Sequence, residues 1–250
     1  MILGCMNFGK ANWGISRDDA QTVLNMAYEC GIRAFDTASF YAEGASERIL
    51  GSWIRDRGCR DSVQVMSKAG GGNPDHPNMK GLSSHCLIGS TESSLCRLGV
   101  DWLDVLTLHW PDPNAEIDDT LDGVSVLLER GLIKEWALSN FYTGEMVRIL
   151  ERAQARSMPL PRYSHVHLNL LEQHALREMI PESNQYGVSS LAWSPFCGGI
   201  LYSGFHDTNA RFHAEGSFWK RYCEGPWIDR RSRIVSLSRD YGVSLECLVC

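Results

Sequence analysis

A parallel α/β fold of the TIM-barrel type, (β/α)8 in plan but lacking its eighth strand and last helix, is predicted by three features of this 250-residue sequence. Helices that stop at a glycine are followed repeatedly by short apolar runs ending in a polar residue, the rhythm of βα units in a parallel sheet. About seven such strands occur, enough for most of one barrel. The patterns GxGxxG and GxxxxGK, which would favour an open doubly wound sheet, are both absent.

The opening MILGC reads as the first strand. A helix begins near Ser16, whose hydroxyl suits an N-cap, with Asp18 and Asp19 in its first turn. It carries Val23, Leu24, Met26 and Ala27, stops at Gly31, and leads into the strand Ile32 to Asp36. Gly58 then precedes SVQVMSK, Gly99 precedes WLDVLTLHW, Gly131 precedes LIKEWALSN and Gly187 precedes VSSLAWSPF. A helix over 143–156 precedes the strand RYSHVHLN, and only the last pair of strands has no recognisable helix between its members. Beyond them come a helix over 231–241, a stop at Gly242 and a fresh start at Ser244 that runs to Cys250. The expectation is one barrel domain over residues 1–250, truncated at its C-terminus, because closure would need an eighth strand to pair the two sheet edges.

With 44% hydrophobic and 22% charged residues the chain can bury a sizeable core. A net charge of -6 without a basic stripe argues against a nucleic-acid or anionic-membrane surface. No apolar run has the length of a membrane span, and the start lacks a secretory pattern, so a soluble cytoplasmic protein is expected. Nine cysteines, an odd number scattered along the chain, read as free thiols, and the one CxxC, Cys247 to Cys250, lacks the βαβ setting of a redox motif. The glycine run Gly70 to Gly72 reads as a flexible loop.

Barrel enzymes carry their reactive residues at the C-terminal ends of the strands. Here those ends supply Asp36, Lys68, His109, Ser139 with Asn140, Asn169 and Ser194, and Tyr41 lies in the loop after Asp36. Singly, each has an ordinary explanation as a turn, a cap or a packing residue. Together they place an acid, a base and a phenol at one mouth. A tyrosine is a reluctant proton donor near neutrality unless its phenolate is stabilised, which the Lys68 ammonium would do. Asp36 would hold Lys68 charged, His109 would fix a substrate carbonyl by a hydrogen bond, and Tyr41 would be the general acid. A hydride must come from a cofactor.

These segments resemble the aldo-keto reductase family along the whole chain. GCMNFG at 4–9 is similar to the family's first-strand motif, FDTASFYAEGASERILG at 35–51 to its aspartate-tyrosine motif and LHWPDP at 108–113 to its histidine motif, with GLIKEWALSNF at 131–141 and AWSPFCGGIL at 192–201 completing the pattern. The resemblance implies NADP-dependent reduction of an aldehyde or ketone to an alcohol, NAD being the less favoured cofactor, with a catalytic tetrad of Asp36, Tyr41, Lys68 and His109. It implies that Ser139 and Asn140 hold the nicotinamide carboxamide, that Trp193 stacks on the nicotinamide ring, and that Ser194 lies near the pyrophosphate. Further cofactor contacts are implied at Met6, Asp36, His165, Pro195, Gly199 and Leu201. His165 stands where the family usually has Gln, Leu168 where Tyr often stands, and Cys5 in place of Thr, while the segment that grips the 2′-phosphate lies beyond residue 250.

Two other readings exist. His165 and His167 share a strand face as a zinc-binding pair would, yet the neighbouring strand ends offer Lys68 and Ser139 in place of ligands, so no metal is expected. A catalytically inactive fragment or a cofactor-sensing regulatory protein of the same fold is the other alternative. Substrate choice is expected to lie in the loops 70–84, 141–144 and 202–227, the last rich in aromatics (Phe205, Phe212, Phe218, Trp219, Tyr222, Trp227) that either line a pocket or cover the barrel rim. Neither the individual carbonyl compound nor the oligomeric state is legible.

Overall fold

The computed structural model describes residues 1–9, 14–76, 78–205, 212 and 217–249. Cys250 of the CxxC and most of 206–216 in the aromatic loop lie outside the described residues. Seven strands run parallel in sequence order: β1 (Ile2–Gly4), β2 (Ala34–Asp36), β3 (Gln64–Ala69), β4 (Leu103–Leu108), β5 (Ile133–Ser139), β6 (Tyr163–His167) and β7 (Ser189–Trp193). The sheet curls into an incomplete barrel, and among the described residues β1 and β7 pair only with their inner neighbours.

Helices alternate with the strands: α1 (Arg17–Glu29), α2 (Ala45–Arg57), α3 (Ser84–Leu98), α4 (Ile117–Glu129), α5 (Thr143–Ala155) and α6 (Met179–Gln185), followed by α7 (Pro226–Asp240) and α8 (Leu245–Val249). The caps explain several boundaries. Ser16 Oγ accepts from the Asp19 amide at the start of α1, and Gly58 and Gly99 end α2 and α3 in the left-handed conformation that glycine adopts without strain. Met26, read as a core position of α1, is instead 61% exposed, while Leu24 and Ala27 face the sheet. The helix expected from 231 begins at Pro226, because proline at N1 has a φ already suited to a helix. Between β6 and β7 the unforeseen α6 is only seven residues long, and its Pro181 falls in the first turn, where no helical hydrogen bond is lost.

Strand alternation sorts the side chains. Phe35, Val65, Leu106, Leu108, Trp136 and Leu138 point outwards into the core shared with α1 to α5. Met66, Val105 and Ala137 fill the floor of the barrel interior with Ile2, Tyr163 and Leu191. Two residues further along the same strands, on the same inner face, lie Lys68, Thr107 and Ser139. Close packing of α2 on α3 depends on Gly51, where a Cβ would lie 2.1 Å from the Leu98 carbonyl oxygen. A second cluster built on Leu171, Cys197, Leu201, Phe212, Trp219 and Tyr222 joins the loops after β6 and β7 to α7.

The aromatic loop therefore serves both of its expected roles. Phe212 and Tyr222 are fully buried as a cover, whereas Phe218 and Trp219 also face the main cavity. The glycine run at 70–72 is seated rather than free. Ser39 Oγ donates to the Gly72 carbonyl at 2.8 Å, and a Cβ on Gly71 would come within 2.8 Å of both Phe40 and Trp110.

Candidate active site

A cavity of about 1310 Å³ opens at the C-terminal ends of the strands. It exceeds the roughly 300–1,000 Å³ usual for drug-sized ligands, so a large ligand and a small one fit together. Asp36, Tyr41, Lys68 and His109 all line it, brought together from β2, β3 and the loops that follow β2 and β4. Lys68 is almost wholly buried, its ammonium donating to Asp36 Oδ2 and, at 2.8 Å, to the Thr37 carbonyl. The same ammonium lies 5.0 Å from the centre of the Tyr41 ring.

The loop carrying Tyr41 is pinned by its backbone. The Thr37 and Ser39 amides donate to the Met66 and Lys68 carbonyls of β3, and Thr37 Oγ1, Ser46 Oγ and the Cys5 carbonyl form a buried chain with 2.8 Å links. Ala42, Glu43 and Gly44 then take successive left-handed conformations, with φ of 49°, 53° and 79°. For the two non-glycines this is strain of order 1–2 kcal/mol each, sustained by the surrounding contacts.

Burial pushes the Tyr41 phenol above its ordinary pKa, and the Lys68 ammonium offsets only part of the rise. Desolvation of the phenolate is the larger effect, and the Lys68 ammonium acts against it. The outcome keeps the proton on Tyr41 at neutral pH, the state from which it can be donated. Burial alone would lower Lys68, but Asp36 and Tyr41 together hold it above the usual lysine value. Burial holds His109 well below its usual value, with Lys68 acting in the same direction. A neutral imidazole still has one N–H to donate. Its ring stacks on Trp110 at 3.9 Å and meets Tyr41 edge-on at 5.8 Å.

Met6, Ser139, Asn140, His165, Trp193, Ser194, Pro195 and Gly199 also line the cavity. Leu201 does not: the left-handed Gly198, φ 72°, turns the chain so that Leu201 is fully buried in the second apolar cluster. Asn169 serves a turn, its Oδ1 accepting from the Leu171 and Glu172 amides at 2.9 Å. Trp193 stacks on His167 at 4.1 Å, so one of its faces is already covered. Arg177 and Arg221, which the strand-end reading did not single out, line the cavity too, beside His167, whose imidazole burial lowers to about 4. His165 and His167 do share the inner face, and among the described residues no group of three or more His, Cys, Asp or Glu converges as metal ligands would.

The aldo/keto reductase family model matches residues 1–249. The chain belongs to the aldo/keto reductase family. It is 28% identical to a probable voltage-gated potassium channel subunit beta of Arabidopsis thaliana, over 92% of this chain and 72% of the relative. A putative aryl-alcohol dehydrogenase of Schizosaccharomyces pombe is 26% identical over 99% of this chain and 79% of its own. An aldo-keto reductase of Fusarium vanettenii is 28% identical over 80% of this chain and 61% of its own. Membership makes the chain an oxidoreductase of carbonyl or alcohol substrates in a family that generally works with nicotinamide cofactors. Among the described residues no helix is long and apolar enough to cross a membrane.

The cavity of this aldo/keto reductase suits such a cofactor in its polar chemistry. Among the described residues seven buried side-chain polar atoms lack a partner within the protein, and four of them, Asp36 Oδ1, His109 Nδ1, His165 Nε2 and Trp193 Nε1, belong to cavity residues. Buried polar atoms left unpaired are costly, so their concentration here marks a place built for a polar ligand. Asn140 and Ser194, the first residues after β5 and β7, both take left-handed φ, 61° and 56°. Asn140 Nδ2 donates to the His109 carbonyl at 2.9 Å and to Ser139 Oγ at 3.0 Å, fixing the amide beside the tetrad.

Burial lowers His165 to about 4 and Asp36 opposes it only in part, so the folded chain binds fewer protons at this ring than the unfolded chain does. The stability that this neutral ring contributes is present above pH 6.5 and is lost as pH falls through about 4. Replacing His165 by Gln should remove roughly 3 kcal/mol of that pH dependence. Urea midpoints measured from pH 7 to pH 4 check this: the two proteins should diverge as the solution is acidified, and parallel curves would refute the assignment.

Proposed function

We propose that the chain is an NADPH-dependent reductase of small aldehydes or ketones, with Tyr41 as general acid. The observation that carries the reading is the buried Lys68 ammonium, held by Asp36 and facing Tyr41, with neutral His109 on the same wall. Ser139, Asn140 and His165 would hold the nicotinamide carboxamide, and the free face of Trp193 would lie against the ring. The cofactor supplies the hydride. His109 donates a hydrogen bond to the carbonyl oxygen, orienting it towards the Tyr41 hydroxyl, and Tyr41 passes its proton to that oxygen as negative charge develops there. Lys68 stabilises the phenolate that remains, and Asp36 keeps Lys68 charged and in place.

The test is NADPH oxidation with benzaldehyde as the carbonyl, alongside NADPH binding followed by fluorescence, for the wild-type chain and Tyr41→Phe. Binding should be equal, and turnover should fall about 10²- to 10⁴-fold in the variant. Equal turnover would refute the role of Tyr41. The relatives named as potassium channel beta subunits favour a second reading, a cofactor-sensing regulatory protein. Tight NADPH binding without any turnover would support that reading.

A further inference from the structure

A second cavity, of about 690 Å³, lies between the loop after β6 and the first turns of α7. Trp227, Arg230, Arg233 and Ile234 line it from α7, at spacings of three, six and seven residues that put them on one helix face. Arg177 completes the set from the opposite side. Three guanidinium groups thus border one cavity in a chain whose net charge is -6.

Among the described residues none of these three arginines forms an ion pair, whereas Arg221 nearby does. The one carboxylate on the cavity wall, Glu172, is already engaged. Its Oε1 accepts from Arg221 at 2.7 Å and from the Tyr222 hydroxyl at 2.9 Å, and its Oε2 lies 3.4 Å from His174 Nδ1. Arg230 lies instead over the Trp227 ring, 4.9 Å from its centre, which aligns its side chain along the wall. Like charges gathered without a counter-charge repel one another, and an anion between them reverses the sign of that interaction. The planar fork of arginine also matches the oxygen geometry of a phosphate in two-point hydrogen bonds.

We propose that this cavity binds a phosphate monoester, with Arg177, Arg230 and Arg233 holding the dianion and Trp227 and Ile234 taking the organic part. A dianion matches three cations better than a carboxylate does. His174 and Arg177 line this cavity and the main one alike, so the two adjoin. The phosphate therefore belongs either to a separate effector or to a molecule that extends from the main cavity. The site does not depend on the reductase reading.

The probe is phenyl phosphate, titrated by calorimetry into the wild-type chain, the Arg230→Gln/Arg233→Gln variant and an Arg239→Gln control. All three positions are exposed, so folding should be retained, and matching melting curves check that. Loss of two charge-assisted contacts should weaken binding by at least about tenfold in the double variant, while the control binds as the wild type does. Phenyl phosphate binding to NADPH-saturated chain identifies a separate effector. Selective loss of NADPH affinity over NADH in the double variant identifies the phosphate of a molecule shared with the main cavity. Equal phenyl phosphate binding by all three proteins, or none by the wild type, overturns the proposal.

Discussion

Lys68→Met is expected to lower carbonyl reduction by about 10²- to 10⁴-fold while leaving the affinity for NADPH nearly unchanged. Methionine keeps the length of the side chain but removes the ammonium that offsets the burial of the Tyr41 phenol. The phenol then rises further, and proton transfer from it becomes harder. The variant should also lose stability, because the Asp36 carboxylate is left in a largely buried place without its counter-ion. A double variant with Asp36→Asn separates the two effects. It should recover melting temperature without recovering turnover. A single variant that reduces benzaldehyde at the wild-type rate would eliminate the proton relay.

Arg97→Met is expected to destabilise the fold by roughly 3–5 kcal/mol, a fall in melting temperature of about 6–20 °C for a domain of this size. Arg97 lies in the last turn of α3 with its side chain almost fully buried, where Nε donates to Glu47 Oε2 at 2.5 Å. Glu47 Oε1 in turn accepts from Ser67 Oγ at 2.6 Å, and Arg97 also pairs with Asp75 and reaches Asn73 Oδ1 at 3.3 Å. Removing the guanidinium leaves Glu47 as a fully buried, uncompensated carboxylate. Because Ser67 precedes Lys68 and Glu47 follows the loop of Tyr41, the network also sets the spacing of the catalytic pair. A thermal melt within 2 °C of the wild type, about 1 kcal/mol or less, would show that the pair carries no such energy.

The network shows where the sequence is silent. Glu47 stands in the first turn of a helix and Arg97 in the last turn of another, both ordinary places for charges that complement a helix dipole. Nothing local tells that residues 50 positions apart meet in the core. The start of α7 was misplaced for a related reason: Pro226 and Trp227 look like the end of a loop until the chain before them is seen to turn at Gly225. Likewise the stacking of His167 on Trp193, which covers one face of the ring expected to meet the cofactor, joins two strands through their pairing.

What the sequence alone determined is the βα alternation, the seven strands, the family and the placing of Asp36, Lys68 and His109 at strand ends. These follow from local chemistry: glycine stops helices, alternation assigns faces, and a strand's last residues always emerge at the same end of a parallel barrel. Only the tertiary structure decided the balance on Tyr41, the burial of Leu201 away from the cavity, and the meeting of Arg177 with Arg230 and Arg233. Each depends on the solvent excluded or the charge supplied by segments distant in the chain, and desolvation and Coulomb interaction act through space, without regard to sequence separation.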